Sequence, residues 1–204
     1  MREHAKPVAG FTPRVPATGD AFDAPVLGPQ WQWAANPQQR WYALDARPGQ
    51  LRLFAQPDAP LRGLASVLTQ KFPAPVFTAA ARVELHAVRD GDQAGLGVLG
   101  LSSSWFGLRR VDGKPRVVAA RCGEDGQCAE ELGEALPGGA AHLRMHVTAG
   151  ARVAFSYSAD GVRYTPLGLP FDAAMGRWVG AQIGVFATGA QGAFADIDYL
   201  RVEP

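Results

Sequence analysis

The sequence predicts an all-β fold, an antiparallel β-sandwich or jelly roll, and three observations support this. Apolar and polar residues alternate with a period of two in several segments, most clearly in residues 77–85 and 143–147. Asp-Gly pairs and other glycine-containing turns separate these segments at short intervals. Glycine (24) and proline (16) are frequent in the 204 residues and are spread along the chain. Alternating segments between such turns are typical of many short antiparallel strands.

The length of the chain fits one large domain preceded by a short segment of different character. Residues 1–19 contain Pro7, Pro13 and Pro16 and show no usable hydrophobic periodicity. Such composition is typical of an extended linker. We therefore predict a linker-like segment over residues 1–19 and a β-sandwich domain over residues 20–204.

The charge pattern argues against two classes of partner. The net charge is +1, from 20 basic and 19 acidic side chains, and the sequence contains no run of Lys or Arg. Nucleic acids and anionic membranes require a basic stripe or patch. No apolar stretch reaches the ~20 residues of a transmembrane helix. We therefore expect neither a nucleic-acid nor a membrane partner.

The two cysteines flank a predicted hairpin tip. Cys122 and Cys128 are separated by five residues centred on Asp125-Gly126, a pair that favours a tight turn. We predict a Cys122–Cys128 disulfide, with two free thiols as the alternative. The compartment is not indicated otherwise, and a disulfide would favour a periplasmic or secreted protein. A lone cysteine pair without a nearby histidine does not predict a zinc site.

Residues 95–100 (GLGVLG) match the glycine spacing of dinucleotide-binding loops. That motif works between a strand and a helix, where helix amide groups bind the pyrophosphate. Here the motif leads into residues 101–105 (LSSSW), which have no helical pattern. We interpret the motif as a glycine-rich buried strand.

Asp196 and Asp198 form the best acidic pair in the sequence. Two residues apart on a strand, they would share one face. Paired carboxylates can serve as acid and base in glycoside hydrolysis or bind Ca²⁺ with backbone carbonyls. We favour the interpretation that both side chains are solvated or cap local structure. We therefore predict no catalytic residue and no required cofactor. A structural Ca²⁺ site at Asp20 and Asp198 is the alternative.

The tryptophans permit two readings. Trp31 and Trp33 lie on the same predicted strand face, and Trp105 and Trp178 follow later in the chain. Exposed indole rings are common platforms for sugar rings, whereas burial in a core or a domain interface is the commoner use of large aromatics. Burial is favoured for the Trp31–Trp33 pair, and direct sugar contact stays open.

The region around these tryptophans resembles a known family. Residues 27–33 (LGPQWQW) with Asn36-Pro37 are similar to the pattern L-G-x-Q-W-Q-W-N-x-N-P of glycoside hydrolase family 43, in the C-terminal sandwich of its β-xylosidases and α-L-arabinofuranosidases. Residues 90–96 (DGDQAGL) and 195–200 (ADIDYL) resemble further family patterns. The likeness spans about residues 20–204. The sequence departs from the pattern at Ala34-Ala35, where the family has Asn-x.

The resemblance implies a concanavalin A-like sandwich that follows a five-bladed catalytic β-propeller. The chain would then be a non-catalytic accessory domain, and its partners would be that propeller and a xylo- or arabino-oligosaccharide. In the xylosidase type, one loop of the sandwich places an aromatic beside the active-site pocket. The matching position here is Trp178. Alternatives are a freestanding lectin-like module that uses exposed Trp31, Trp33 or Trp105, and a self-sufficient hydrolase that uses Asp196 and Asp198.

Overall fold

In a computed structural model that describes residues 10, 17–57 and 59–203, the chain forms two antiparallel sheets. The strands are β1 (Gln32–Trp33), β2 (Tyr42–Ala43), β3 (Leu51–Phe54), β4 (Leu68–Lys71), β5 (Phe77–His86), β6 (Gln93–Leu99), β7 (Ser103–Val111), β8 (Lys114–Cys122), β9 (Cys128–Ala135), β10 (Ala140–Thr148), β11 (Arg152–Ser158), β12 (Thr165–Pro166), β13 (Phe171–Asp172), β14 (Gln182–Thr188) and β15 (Phe194–Glu203). Two 3₁₀ helices, Gln39–Trp41 and Leu61–Gly63, complete the described structure, and neither has the length or the apolar run needed to cross a membrane.

The two sheets have a sandwich topology. The seven-stranded sheet has the order β1-β4-β14-β6-β7-β8-β9. The eight-stranded sheet has the order β12-β11-β10-β5-β15-β3-β2, and β13 pairs with β11. Strands from distant parts of the chain are neighbours in both sheets, as in β4-β14-β6 and β5-β15-β3. The predicted all-β concanavalin A-like sandwich is confirmed.

The core lies between the two sheets and is built from the inward side chains of the alternating strands. In β5 every second residue from Phe77 to Leu85 is buried, and the residues that alternate with them are partly exposed. The sheets meet through contacts such as the stacked rings of Phe106 and Phe155, with centroids 4.3 Å apart. Each fully buried side chain of this size stabilises the fold by about 1.5–3 kcal/mol relative to an exposed one.

Strand β6 contains the glycine-rich segment, and all its residues are buried. A Cβ atom at Gly95 would lie 2.2 Å from the carbonyl oxygen of Phe106 on the neighbouring strand β7. A side chain there would clash with the backbone, so glycine is required by close approach. The segment leads into β7 rather than into a helix. The interpretation of this motif as a buried strand is confirmed.

Strand β14 connects two ends of the sandwich. Its first residue, Gln182, pairs with Lys71 and Leu99, and its last, Thr188, pairs with Gln93. We call the end next to Gln182 the Trp178 end and the opposite one the Asp92 end. The two ends differ in construction.

At the Asp92 end, one buried carboxylate closes two loops. Oδ2 of Asp92 accepts hydrogen bonds from the N–H groups of Val88 (2.8 Å) and Arg89 (2.9 Å), and Oδ1 accepts one from the N–H of Ala190 (2.7 Å). A Cβ at Gly189 would lie 2.2 Å from Oδ1, so only glycine fits. Burial raises the pKa of Asp92, but the N–H donors outweigh this and hold its pKa below the usual aspartate value.

The start of the domain runs along the last strand. Thr18 Oγ1 donates to the carbonyl of Val202 (3.0 Å), and the N–H of Asp20 donates to the carbonyl of Leu200 (2.8 Å). The expected linker over residues 1–19 lies outside the described residues apart from residues 10 and 17–19. The incoming chain is therefore attached to the C-terminal half of β15.

Candidate functional site

The candidate site is the loop of residues 173–181 between β13 and β14, which we call the Trp178 loop. It exposes three apolar side chains: Trp178 (89% exposed), Met175 (76%) and Val179 (41%). Soluble domains rarely expose adjacent large apolar side chains unless the surface binds a partner. Tryptophan is also enriched among the residues that dominate binding at protein interfaces. This loop is thus a candidate for an apolar docking surface.

The base of the Trp178 loop is fixed while its tip projects. The N–H of Ala173 donates to the carbonyl of Ala151 (3.0 Å), and the N–H of Leu101 donates to the carbonyl of Met175 (3.0 Å). At the other side of the base, the N–H of Phe72 donates to the carbonyl of Ala181 (3.2 Å). These bonds hold both sides of the loop, so Trp178 stands on a supported base.

The Trp178 loop lies at the same end of the sandwich as the incoming chain. Phe72, bonded to the base of the loop, also packs edge-on against Phe77 at the start of β5, with ring centroids 4.9 Å apart. The beginning of β5 pairs with the end of β15. Residue Thr18 is hydrogen-bonded to Val202 in that same part of β15. A domain preceding residue 17 would therefore join the sandwich at the end that presents Trp178.

The hairpin between β8 and β9 is closed by a disulfide. Cys122 and Cys128 are opposite each other in the strand register and are covalently bonded. Within the hairpin, the N–H of Gly123 donates to the carbonyl of Gln127 (2.9 Å). The disulfide and this bond fix the shape of the tip.

Arg62 links the disulfide hairpin to the Trp178 loop. Its Nη1 donates to the carbonyl of Leu101 (2.8 Å) and to the carbonyl of Glu124 in the hairpin tip (3.3 Å). Leu101 in turn donates its N–H to Met175. The hairpin, Arg62 and the loop of residues 100–102 thus form a continuous support beneath the Trp178 loop. Sequence reasoning missed this link, because an isolated Arg carries no pattern.

Trp31 is engaged in holding the incoming chain. Its Nε1 donates to Oδ2 of Asp20 (2.7 Å), and its ring stacks on Phe22 with centroids 5.8 Å apart. Neighbouring Gln30 donates to the carbonyl of Gly19 (3.2 Å). The first half of the QWQW motif therefore attaches residues 19–22 to the sandwich.

Trp33 and Trp105 pack against other aromatic rings. Trp33 is half-buried between Trp41 (centroids 5.5 Å apart) and Tyr42 (5.1 Å), against the main core. Trp105 is 5% exposed and packs edge-on against Phe186. The lectin-like alternative required exposed indoles at Trp31, Trp33 or Trp105. The structure buries Trp105 and half-buries the other two, and direct sugar contact by these rings stays a prediction.

Asp196 and Asp198 lie in a part of β15 where the strand register is irregular. A β-bulge between Ile197 and Tyr199 shifts the register, so Tyr199 instead of Asp198 takes the next outward ladder position opposite Arg82. The bulge therefore interrupts the simple period-two alternation between the two aspartates.

Asp196 is a buried ion-pairing residue. It is 1% exposed and accepts hydrogen bonds from Arg52 Nε (2.8 Å), Arg52 Nη2 (2.9 Å) and Arg47 Nη1 (3.3 Å). Burial raises the pKa of Asp196, but the two guanidinium groups outweigh it, and the pKa lies below its usual range. A carboxylate held in this way stays ionised and is poorly suited to donate a proton, which supports a structural role.

Asp20, the other half of the calcium hypothesis, is surrounded by hydrogen-bond donors. Its carboxylate accepts from the N–H of Phe22 (2.8 Å) and from Trp31 Nε1, and Gln30 Nε2 lies 3.5 Å from it. No group of three or more His, Cys, Asp or Glu side chains within the described residues is arranged to hold a metal ion. The Ca²⁺ site at Asp20 and Asp198 stays a prediction.

The sequence of this chain is similar to those of known proteins. Residues 19–203 match the family of the β-xylosidase C-terminal concanavalin A-like domain. The chain belongs to this family. The β-xylosidase of Formosa agariphila is 23% identical over 100% of this chain and 38% of its own length. A putative β-xylosidase of Xylanibacter ruminicola is 29% identical over 84% of this chain and 31% of its own length. The chain thus spans about a third of these relatives.

Solved structures show the same fold. A bifunctional GH43-CE protein of Bacteroides eggerthii superposes with a TM-score of 0.83 at 26% identity, over 91% of this chain and 25% of that one. A xylan β-1,4-xylosidase of Bacillus halodurans gives a TM-score of 0.83 at 19% identity, over 98% of this chain and 42% of that one. Membership of the β-xylosidase C-terminal domain family therefore rests on both sequence and architecture.

Proposed function

We propose that this β-xylosidase C-terminal domain is a non-catalytic accessory domain that packs against a catalytic β-propeller and places Trp178 beside its substrate pocket. The carrying observation is the Trp178 loop, an exposed apolar tip on a fixed base at the end where the chain enters the sandwich. A supported aromatic at that end can contribute to a pocket in the preceding domain. The substrates would be xylo- or arabino-oligosaccharides.

The physical role of Trp178 is to limit the positions that a bound sugar can take. An indole face excludes water and contacts the C–H groups of a sugar ring, which restricts the ring to productive orientations. The energy of the contact derives from burying a large aromatic surface. Met175 and Val179 would bury apolar area against the propeller and fix the loop in place.

The test is steady-state kinetics of the full-length enzyme that contains this domain. We expect Trp178→Ala to lower kcat/KM on an aryl xyloside by about tenfold through looser substrate positioning. Trp178→Phe keeps an aromatic face and should retain most of the activity. Val162→Ala is the matched control, because Val162 is also exposed (80%) but belongs to the turn of residues 159–164. Unchanged kinetics of Trp178→Ala would contradict the proposal.

A further inference from the structure

An open cleft lies at the edge of the eight-stranded sheet. It has a volume of about 860 Å³, within the range of about 300–1,000 Å³ typical of ligand sites. One wall is the segment of residues 22–25, and the other is strand β2 with the following turn to Gly49. None of the tryptophans lines this cleft.

The first wall depends on an unusual backbone conformation. Phe22 has φ +56°, in the left-handed region that non-glycine residues seldom adopt,. Its N–H is held by Oδ1 of Asp20, and its ring is buried against Trp31. The turn sends the Phe22 ring into the core and places Asp23 and Pro25 along the cleft. A strained residue fixed on both sides is a feature that functional sites often show.

The second wall approaches the first at Gly49. This glycine has φ +72°, and a Cβ built on it would lie 3.4 Å from Oδ1 of Asp23. The carboxylate of Asp23 therefore reaches across to the opposite wall at the narrow part of the cleft. Glycine at this position leaves the space beside the carboxylate open.

Four polar side chains face this cleft: Asp23, Gln39, Tyr42 and Asp45. None of them has a side-chain hydrogen bond or ion pair to the other described residues, although the Tyr42 ring contacts Trp33. Ionised carboxylates are strong hydrogen-bond acceptors, and a donor group of a ligand would form hydrogen bonds with them. The polar groups of the cleft are thus available to a ligand.

The charge of the cleft selects against anionic ligands. Within residues 17–57 and 59–203, no Lys or Arg lines it. Arg47, in the second wall, directs its guanidinium to Glu84 (3.1 Å) and Asp196 (3.3 Å) instead. The carboxylates of Asp23 and Asp45, which have no ion pair with another described residue, repel phosphate, sulfate and uronate groups. Apolar surface from Pro25 and Leu44 completes the lining.

We propose that this cleft is a second saccharide-binding site, specific for neutral sugars. Hydroxyl groups of the sugar donate to the carboxylates of Asp23 and Asp45, and the Gln39 amide provides a further polar contact. The C–H faces of the sugar ring lie against the apolar lining. The proposal goes beyond the role of Trp178, because the described lining of the cleft comes from residues 22–25 and 39–49 and does not include the Trp178 loop.

The test is an NMR titration of the ¹⁵N-labelled 204-residue chain with xylotetraose, with cellotetraose and arabinotriose in parallel. We expect amide shifts confined to residues 22–25 and 39–49. Asp23→Asn and Asp45→Asn should each weaken binding about fivefold, the effect of one hydrogen bond of about 1 kcal/mol. Ala24→Trp should abolish binding by filling the cleft. Glu124→Gln removes an equivalent exposed charge in the disulfide hairpin and should bind like the wild type.

Several outcomes would overturn the proposal. These are the absence of specific shifts with all three saccharides, an affinity in Asp23→Asn and Asp45→Asn that equals the wild-type affinity, and shifts centred on the Trp178 loop. CaCl₂ alone, titrated separately, should leave the cleft unchanged, and a Ca²⁺-induced shift there would identify a cation site instead. Urea unfolding of each variant checks that the fold is intact. Failure here leaves the kinetic test of Trp178 unaffected, so the two proposals are judged separately.

Discussion

The loops at the two ends of strand β14 differ in how they are held and in what they expose. At the Asp92 end, a fully buried carboxylate binds the N–H groups of two loops and closes the sandwich. At the Trp178 end, the loop before the strand is bonded at its base and leaves apolar side chains in solvent. The comparison indicates that one end stabilises the domain, whereas the other is free to serve a partner.

Among the groups that distinguish the two ends, Asp92 has the largest expected effect on stability. In Asp92→Asn, an amide NH₂ would face the N–H groups of either the Val88–Arg89 turn or Ala190, so at least one hydrogen bond becomes a repulsion. We expect a loss of about 3 kcal/mol in the free energy of unfolding, measured by urea denaturation. Asp112→Asn is the matched control in an exposed turn of the same end and should change stability by less than about 0.5 kcal/mol. Equal effects of the two substitutions would contradict the role given to Asp92.

Low pH should reduce the difference in the free energy of unfolding between the wild type and Asp92→Asn. The folded-state pKa of Asp92 is lowered, so its stabilising contribution is present above the unfolded pKa of about 3.9 and is lost as the pH falls through the folded value. Asparagine does not titrate in this range. The stability gap between the two proteins should therefore be full at pH 7 and narrower at pH 3. A gap that is constant with pH would argue against an ionised Asp92.

The disulfide should give the next largest effect, and at the other end. For the short loop closed by Cys122 and Cys128, chain entropy predicts about 2 kcal/mol. We expect the double serine variant to lose about that much stability, and a reducing agent to lower the melting temperature of the wild type alone. Relative to global unfolding, the Val88 and Ala190 amides should remain as protected against hydrogen exchange in this variant as in the wild type. Selective loss of protection at those amides would show that the ends are not independent.

The fold could be predicted from the sequence because its strands repeat a local pattern. The inward residues of β5 and β10 alternate without interruption, and glycine-containing turns mark the hairpins. The bulge in β15 could not be predicted, because the ADIDYL segment keeps a regular pattern while pairing with two different strands. The register at Asp198 therefore depended on tertiary pairing that local periodicity does not contain.

The site was predictable in part. The family resemblance singled out Trp178, and the structure shows it exposed. The same reasoning did not separate it from Trp105, because residue type alone does not reveal whether a ring finds a partner such as Phe186. The cleft beside Asp23 and Asp45 was missed altogether. Its walls come from segments about twenty residues apart, and each carboxylate resembles an ordinary surface residue in the sequence.

Arg62 tests whether the disulfide hairpin supports the Trp178 loop. Arg62→Ala removes the two bonds to the carbonyls of Leu101 and Glu124. Since the side chain is exposed, we expect a stability change of less than about 1 kcal/mol. The informative readout is hydrogen exchange at the Leu101 amide, which is bonded to Met175 and should exchange faster. Arg40→Ala changes another exposed arginine and should leave exchange at the Leu101 amide unchanged. If this amide exchanges as slowly in Arg62→Ala as in Arg40→Ala, Arg62 does not support the Trp178 loop.

The smallest expected effect on stability is at Trp178, and it sharpens the comparison most. An exposed side chain buries little area in the isolated domain, so Trp178→Ala should alter the free energy of unfolding by less than about 0.5 kcal/mol. Trp105→Ala, a buried tryptophan to alanine change, should cost about 3–5 kcal/mol. Urea unfolding of the two variants measures both effects. A large loss in Trp178→Ala would mean that the ring packs within this domain, and the Trp178 end would then be a second stabilising end instead of a surface left for a partner.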